Sequence, residues 1–402
     1  MKKLLIVILG FSLFIPLYAQ SEDLPEKKSF SFARKHFEIG FGAGVGFSND
    51  IFGAREFMKK NIVIDLDKIE SGIGDKGANI KAEVLGDFFL NIMNVKIGGG
   101  RWDFGVFAGA DGSVSVNLPK SLFTFISEGN MKQRVFSGDI SGFGGVFAEA
   151  GIKTAAKYGK LRVGLVPTVF APLGYVPKSG IHYVLDTEDG VALSTAGAVS
   201  IYSPFLENGE LNFGFDMSVQ GEYALLPILD LGGVLSRIPI VPVKLQNRMR
   251  LDFALADDIV ITGSDLMGGE GLEFPEFEFE RSYDTHSIKI VRPLRFDVYA
   301  RFKPIAGKEL FVLKPSLGFT RDISERETYF NFGVEAKLNL LGLFVPYVSI
   351  NREEGLWRNR LGFALCLRVF ELDLEATLES QSFKGSFAMY GFALNVGLRF
   401  GW

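Results

Sequence analysis

Glu371, Asp373, Glu375 and Glu379 are the residues of this chain best spaced to do chemistry. They alternate with Phe370, Leu372, Leu374, Ala376 and Leu378, so a strand would carry the acids on one face and the apolar residues on the other. Basic residues follow the same period elsewhere. Arg295, Arg301 and Lys303 share a face with Asp297 and Tyr299, and Arg399 and Arg368 fall on the polar face of strands near the end. Glu276, Glu278 and Glu280 alternate with Phe277 and Phe279. Charges facing the inside of a β-barrel either set the selectivity of a channel and grip a ligand, or pair with one another and fill the lumen. Both signs occur in similar amounts here, which favours internal pairing. Glu371, Asp373, Glu375, Arg295, Arg301 and Arg399 are the candidate lumen-facing residues.

Catalysis finds little support. His36, His182 and His286 lie far apart, no histidine pair has helical spacing for a metal, and no Gly-x-Ser-x-Gly elbow occurs. Gly98-Gly99-Gly100 marks a turn without a phosphate-loop pattern. The only cysteine, Cys366, alternates with Leu365 and Leu367 as a small inward residue, and one cysteine forms no intramolecular disulfide. No enzyme, metal or cofactor is expected. A net charge of −4 over 402 residues gives no reason to expect nucleic acid.

The elements that must position these charges are strands. In the last eleven residues Phe392, Leu394, Val396, Leu398, Phe400 and Trp402 are apolar at every second position, and Ala393, Asn395, Gly397, Arg399 and Gly401 fall between them. One face is greasy and the other small or polar, which suits a strand facing lipid. The N-terminal residues agree with export. Lys2 and Lys3 precede an apolar core from Leu4 to Tyr18, and Leu17-Tyr18-Ala19 offers a cleavage site, so residues 1–19 read as a signal peptide. Residues 20–36 read as a periplasmic lead and 37–402 as one outer-membrane β-barrel. Apolar residues make up 47% of the chain, with 39 Phe and 47 Gly, yet after the leader no charge-free run reaches the ~18 residues of a spanning helix.

Phe37 to Ser48 is the first strand, with Phe37, Ile39, Phe41, Ala43, Val45 and Phe47 on one face and Glu38, Gly40, Gly42, Gly44 and Gly46 on the other. The glycines leave inner space for something bulky. The segment 51–73, in part helix-like, either folds into that space as a plug, with the four glycines as its docking track, or is an ordinary surface loop. Fifteen further segments recur at barrel spacing, among them 191–203, 243–255 and 277–290. With the first strand they make sixteen; allowing one or two of them as extramembrane hairpins, the expectation is an all-β antiparallel barrel of about 14 strands, with 12 to 16 allowed. Leu118 to Gly129 predicts a short helix, with Pro at its start and Gly after its last turn. Leu225 to Val243 contains three prolines, which argues against a regular strand and for a place at the rim, the interface or the lumen.

One stretch carries a resemblance. The Leu-Pro-start helix ending Glu128-Gly129-Asn130 is followed by Gly138-Asp139-Ile140-Ser141-Gly142, Phe147-Ala148-Glu149-Ala150-Gly151 and Gly159-Lys160-Leu161-Arg162-Val163-Gly164-Leu165. This resembles a family of uncharacterised outer-membrane β-barrels of spirochaetes and Bacteroidetes, itself distantly similar to the outer-membrane long-chain fatty-acid transporters (FadL-like). The resemblance implies a 14-stranded barrel, blocked by an N-terminal segment, that passes hydrophobic small molecules. The Asn-Pro-Ala start common in the transporters is missing before Phe37, and no binding residues are carried over. Passive uptake of hydrophobic molecules is the expected function, and a non-transporting structural or assembly scaffold is the alternative. The expected partners are outer-membrane lipid, the barrel-assembly machinery through the C-terminal strand, and a hydrophobic ligand.

Overall fold

The computed structural model describes residues 36–51, 53, 73, 75, 77–128, 135–188, 191–207, 209–254, 259–261, 279–305, 309–322, 327–367 and 369–402. The expected leader, most of the lead, nearly all of the 51–73 segment, and Arg368, Glu276 and Glu278 lie outside the described residues.

The chain opens with β1 (Phe37–Asn49), β2 (Ala78–Ile97), β3 (Gly100–Leu118), the helix α1 (Lys120–Glu128), β4 (Val135–Tyr158) and β5 (Leu161–Asp186). Next come β6 (Val191–Tyr202), β7 (Gly214–Leu226), β8 (Leu229–Val241), β9 (Val243–Leu245), β10 (Arg248–Ala254), β11 (Ile259–Ile261), β12 (Phe279–Asp284) and β13 (Ile288–Ile290). The chain ends with β14 (Leu294–Phe302), β15 (Phe311–Asp322), β16 (Glu327–Leu338), β17 (Phe344–Glu353), β18 (Leu356–Cys366), β19 (Phe370–Ser380), the helix α2 (Phe383–Phe387) and β20 (Gly391–Gly401).

Antiparallel ladders join β1 to β5 in order, then β5 to β7, β7 to β8, β8 to β14 and β14 to β20 in order. Pairing of β20 with β1, from Glu38↔Gly401 to Ser48↔Gly391, closes a barrel of 14 strands. One end carries the tight turns at 98–99, 159–160 and 227–228 together with the start of β1 and the end of β20. Gly98 and Gly99 turn the chain there with φ of 54° and 79°, a conformation glycine adopts freely. The longer connections gather at the opposite end.

Outward positions of the wall are apolar and bare. Phe41, Val45 and Phe47 on β1, Leu317 on β15, Phe330 on β16, Val348 on β17 and Leu361 on β18 are all exposed. Phe392, Leu394, Val396, Phe400 and Trp402 are exposed along β20 and Leu398 partly so. Aromatic rings cluster at the tight-turn end: Phe37 on Trp402 at 4.8 Å, Phe370 on Phe400 at 5.4 Å, and Trp102 with Phe104 and Tyr158 at 6.0 and 6.1 Å. An apolar band edged by aromatics is the surface a barrel presents to hydrocarbon and its interface.

The structure corrects the sequence reading on one side of the barrel. Leu225 to Val243 does contain a wall strand, β8. Pro227 sits in the turn and Pro242 lies between β8 and β9, so only Pro239 falls inside. The β8–β14 ladder runs from Leu229 to Ser236, so the missing N–H of Pro239 costs that ladder nothing. The described parts of the segments 191–203, 243–255 and 277–290 hold strands that leave the wall. β6 pairs with the far end of β5, β10 and β11 pair with β6, and β12 pairs with β10, which makes a sheet extending past the barrel. β9 and β13 form a separate two-stranded ribbon. Three segments leave the wall and one joins it, so the count still comes to 14.

The predicted helix is α1. Its Leu122 and Phe125 pack on Phe136, Tyr183 and Leu185, and Phe123 packs on Ala78 and Leu118, residues on the outer face of β2 to β5.

Candidate functional site: the lumen

Inward parity runs through the ladders. Glu38, Gly40, Gly42, Gly44 and Gly46 of β1 lie opposite Asn91, Phe89, Asp87, Leu85 and Glu83 of β2. A Cβ on Gly40 would stand 2.2 Å from the Phe89 ring, one on Gly42 2.0 Å from the Asp87 carboxylate, and one on Gly44 1.9 Å from the Asn395 amide oxygen. At Gly46 the nearest atom would be the Ala393 methyl at 3.1 Å. Side chains of the neighbouring strands β2 and β20 therefore fill the groove above the glycines. Phe89 is itself flanked by two cations, with the Lys153 ammonium 5.7 Å and the Arg399 guanidinium 5.8 Å from its ring.

The six candidate lumen residues all lie on inward positions but do not converge. Glu371 faces Arg399 across the β19–β20 ladder, 3.4 Å apart. Asp373 and Glu375 lie 3.0 and 3.1 Å from the Tyr347 hydroxyl, and Glu375 also accepts from the Asn395 amide at 2.9 Å. Arg301 binds Asp230 at 2.9 Å and Glu222 at 3.0 Å, and Lys303 joins Asp230 at 2.7 Å. Arg295 pairs with Asp297 and lies 3.8 Å from Glu353. Glu280 is exposed on the extension sheet, away from the lumen. Cys366 is buried beside Val345 and Ala364.

Two further clusters span the lumen. Arg358 of β18 reaches Glu83 of β2 at 2.6 Å, past β19, β20 and β1. It also touches Glu379 at 3.2 Å and Glu353 at 3.6 Å; Arg360 holds Glu353 at 2.7 Å, and Lys81 pairs with Glu83. On the other side Arg292, just after β13, donates to both oxygens of Asp216 at 2.8 and 3.0 Å, pairs with Glu149, and lies 3.8 Å from Asp111, which also receives Arg237 at 3.2 Å. Its guanidinium stacks 4.8 Å over the Phe170 ring. Buried charges persist when paired with opposite charge, and each of these has an ion-pair partner.

Parts of these clusters carry a period-two signal: Lys81, Glu83 and Asp87 share a parity in β2, and Arg358 and Arg360 do so in β18. Arg292 sits in Val291-Arg292-Pro293, outside any strand pattern, and gives no such signal. Among the described residues no group of three or more His, Cys, Asp or Glu could hold a metal ion.

Above the ionic waist the lining turns apolar. Val243, Leu245 and Ile290 of the ribbon pack against Phe147, Phe170 and Tyr202, with Tyr175 and Ile288 alongside. The Tyr202 hydroxyl meets His286 Nδ1 at 2.8 Å, and burial pushes the Tyr202 phenol up from its ordinary pKa. Beside this lining the wall forks. β5 pairs with β7 from Leu161 to Phe170 and with β6 from Tyr175 onward, and neither ladder covers Ala171–Gly174. Pro172 has no N–H to satisfy, and the Leu173 carbonyl accepts from the Ser203 hydroxyl at 2.7 Å. On the extension sheet the Asp284 carboxyl is held below its ordinary pKa by hydrogen bonds from Arg248 and from the His286 N–H.

No family model matches the chain, and no curated protein matches it. Several solved structures are similar to it. The toluene transporter TbuX of Ralstonia pickettii aligns over 92% of this chain and 90% of its own at 8% identity and TM-score 0.48. A FadL homologue of Pseudomonas aeruginosa aligns over 92% and 91% at 10% identity and TM-score 0.48. The toluene transporter TodX of Pseudomonas putida aligns over 93% and 92% at 8% identity and TM-score 0.44. The strand ladders themselves establish the barrel.

Proposed function

We propose that this barrel sits in the outer membrane of a Gram-negative cell and lets hydrophobic small molecules pass without an energy source. The fork in β5, lying next to an apolar lining, carries this reading. The ten pairs from Leu161↔Tyr223 to Phe170↔Gly214 separate the tight-turn end from the fork. At ~3.3 Å per residue and a tilt of ~40°, that rise is about 25 Å, close to the height of a lipid-facing band. Phe147, Phe170, Tyr175 and Tyr202 thus line the lumen near the outer edge of that band, beside the stretch Ala171–Gly174 where β5 lacks a ladder on this side. Below them the axis is crossed by ion pairs, a poor path for water-soluble cargo and a reason for an apolar solute to use the upper lining. The outward residues of β20, Phe392 to Trp402, are suited to lipid and to the machinery that inserts barrels.

The test is uptake of radiolabelled toluene and laurate by cells producing the protein, with planar-bilayer conductance of the purified barrel. Uptake above the empty-vector level together with low conductance is expected. A barrel that neither binds nor passes either probe overturns the reading. That result would leave the alternative, a non-transporting scaffold, which the ion-paired lumen and the protruding β6–β10–β12 sheet favour; altered surface proteins in a deletion strain would then be expected.

A further inference from the structure

The ribbon β9–β13 has no ladder to the wall; it is a two-stranded sheet of its own inside the barrel mouth. Each strand has three residues, too little to hold itself together in water. Its outward pair makes matters worse, since Lys244 lies directly opposite Lys289 and like charges facing each other destabilise a sheet. The ribbon's position is therefore imposed by what it touches. One hold is apolar, Val243, Leu245 and Ile290 on Phe147, Phe170 and Tyr202. The other is Arg292, two residues beyond β13 and 2% exposed, which gathers Asp216 of β7, Glu149 of β4 and, more distantly, Asp111 of β3.

We propose that the ribbon is a displaceable stopper of the upper lumen and that Arg292 is its latch. The arrangement has the asymmetry a latch needs. Three carboxylates from three strands stand close together, and Arg292 is the cation that links all three to the ribbon. Without it they repel one another and draw in water, while the ribbon keeps its apolar contacts and the neighbouring His286–Tyr202 and Gln246–Glu210 hydrogen bonds. Breaking a buried ion pair from one side leaves uncompensated charge, which is the costly way to break it. The wall ladders do not include the ribbon, so its departure breaks no strand pairing of the barrel. The inference does not depend on what passes through the lumen. It also supplies a stopper from the β8–β14 connection, whereas the sequence offered residues 51–73 as either a plug or a surface loop.

The probe is a thiol at Leu245, introduced as Leu245→Cys with Cys366→Ala to remove the native sulfur. The refolded full chain in lipid vesicles is treated with a membrane-impermeant maleimide, and folding is checked by heat-modifiable migration. With Arg292 present, labelling is expected to be slow. Arg292→Gln should speed it by roughly a hundredfold, and Asp216→Asn, which removes the principal partner, should also speed it. Lys244→Glu should slow it, because a Glu–Lys pair replaces the repulsion. Equal rates with Arg292 and with Gln in a folded barrel overturn the latch. Should Arg292→Gln fail to fold, unchanged rates in both Asp216→Asn and Lys244→Glu overturn it instead.

Discussion

The two sides of this barrel are built to different standards. From β14 round through β20 to β1 each ladder keeps a single register, and β17 passes to β18 through the short turn at 354–355. On the other side the register shifts twice between β4 and β5, once between β5 and β6 and three times between β7 and β8. Arg237 takes φ of 57° within β8, and the wall forks at β5. The regular side closes and stabilises the barrel. The irregular side gives up ladder bonds and holds the apolar lining, the ribbon and the extension sheet. Each register break frees backbone that a strand would otherwise occupy, and those at Val146/Phe147, Tyr175/Gly180 and Phe215/Asp216 lie beside the apolar lining.

The contrast can be broken most forcefully at Arg358. Arg358→Gln leaves Glu83, Glu353 and Glu379 without their shared cation and should cost about 3 kcal/mol or more of stability, read as a lower urea midpoint of the lipid-embedded protein. The ribbon should stay protected in this variant, because Arg358 lies in the other cluster. A drop in midpoint with simultaneous ribbon exposure would mean that the two clusters act as one.

Glycines sharpen the comparison at a smaller scale. Gly40→Ala drives a methyl into the Phe89 ring and should cost roughly 1–3 kcal/mol. Gly174→Ala, at the fork, meets nothing within 4 Å and should change stability by less than about 0.5 kcal/mol. Equal losses at both positions, measured by the same urea titration, would erase the distinction between packed and open sides.

The smallest effect concerns acid. The carboxyls of Asp284 and Asp252 are held low on the extension sheet, Asp284 mainly by Arg248 and Asp252 by Arg250. A depressed folded pKa stabilises above the unfolded value, about 3.9 for Asp, and that support disappears as the pH falls through the lower folded value. Limited digestion with pepsin should cut the β6–β10–β12 sheet more readily as the pH drops below about 4, while the wall resists. Uniform sensitivity of sheet and wall would refute the assignment.

The legibility of the molecule divides along the same line. Period two was enough to find the wall strands of the regular side, because each reports its own two faces locally. It marked β6 and the β10 and β12 segments as strands too, and the excess over 14 pointed to one or two extramembrane hairpins, yet it could not say which segments leave the wall; partner choice is long-range and leaves no local trace. Pro227 and Pro242 concealed β8 although both fall outside it. The paired charges of β19 and β20 were visible as alternation, and their cross-lumen counterparts Asp111, Glu149 and Asp216 are single acids without a local pattern. Arg292 follows no period because its neighbours form no strand.

The seam between β1 and β20 has a consequence for connectivity. Trp402 offers its carbonyl oxygen to the N–H of His36 at 2.8 Å and of Phe37 at 3.1 Å, so the first and last wall residues touch. A short peptide could join them, and the ring could be cut open at Gly98-Gly99 to give a circularly permuted barrel with the same ladders. Its last strand would then be β2, whose outward residues towards its end, Phe88, Leu90, Ile92, Val95 and Ile97, hold one aromatic and have no counterpart of Phe400 and Trp402. A permutant that folds in detergent but fails to reach the membrane in cells would separate what closes this barrel from what delivers it.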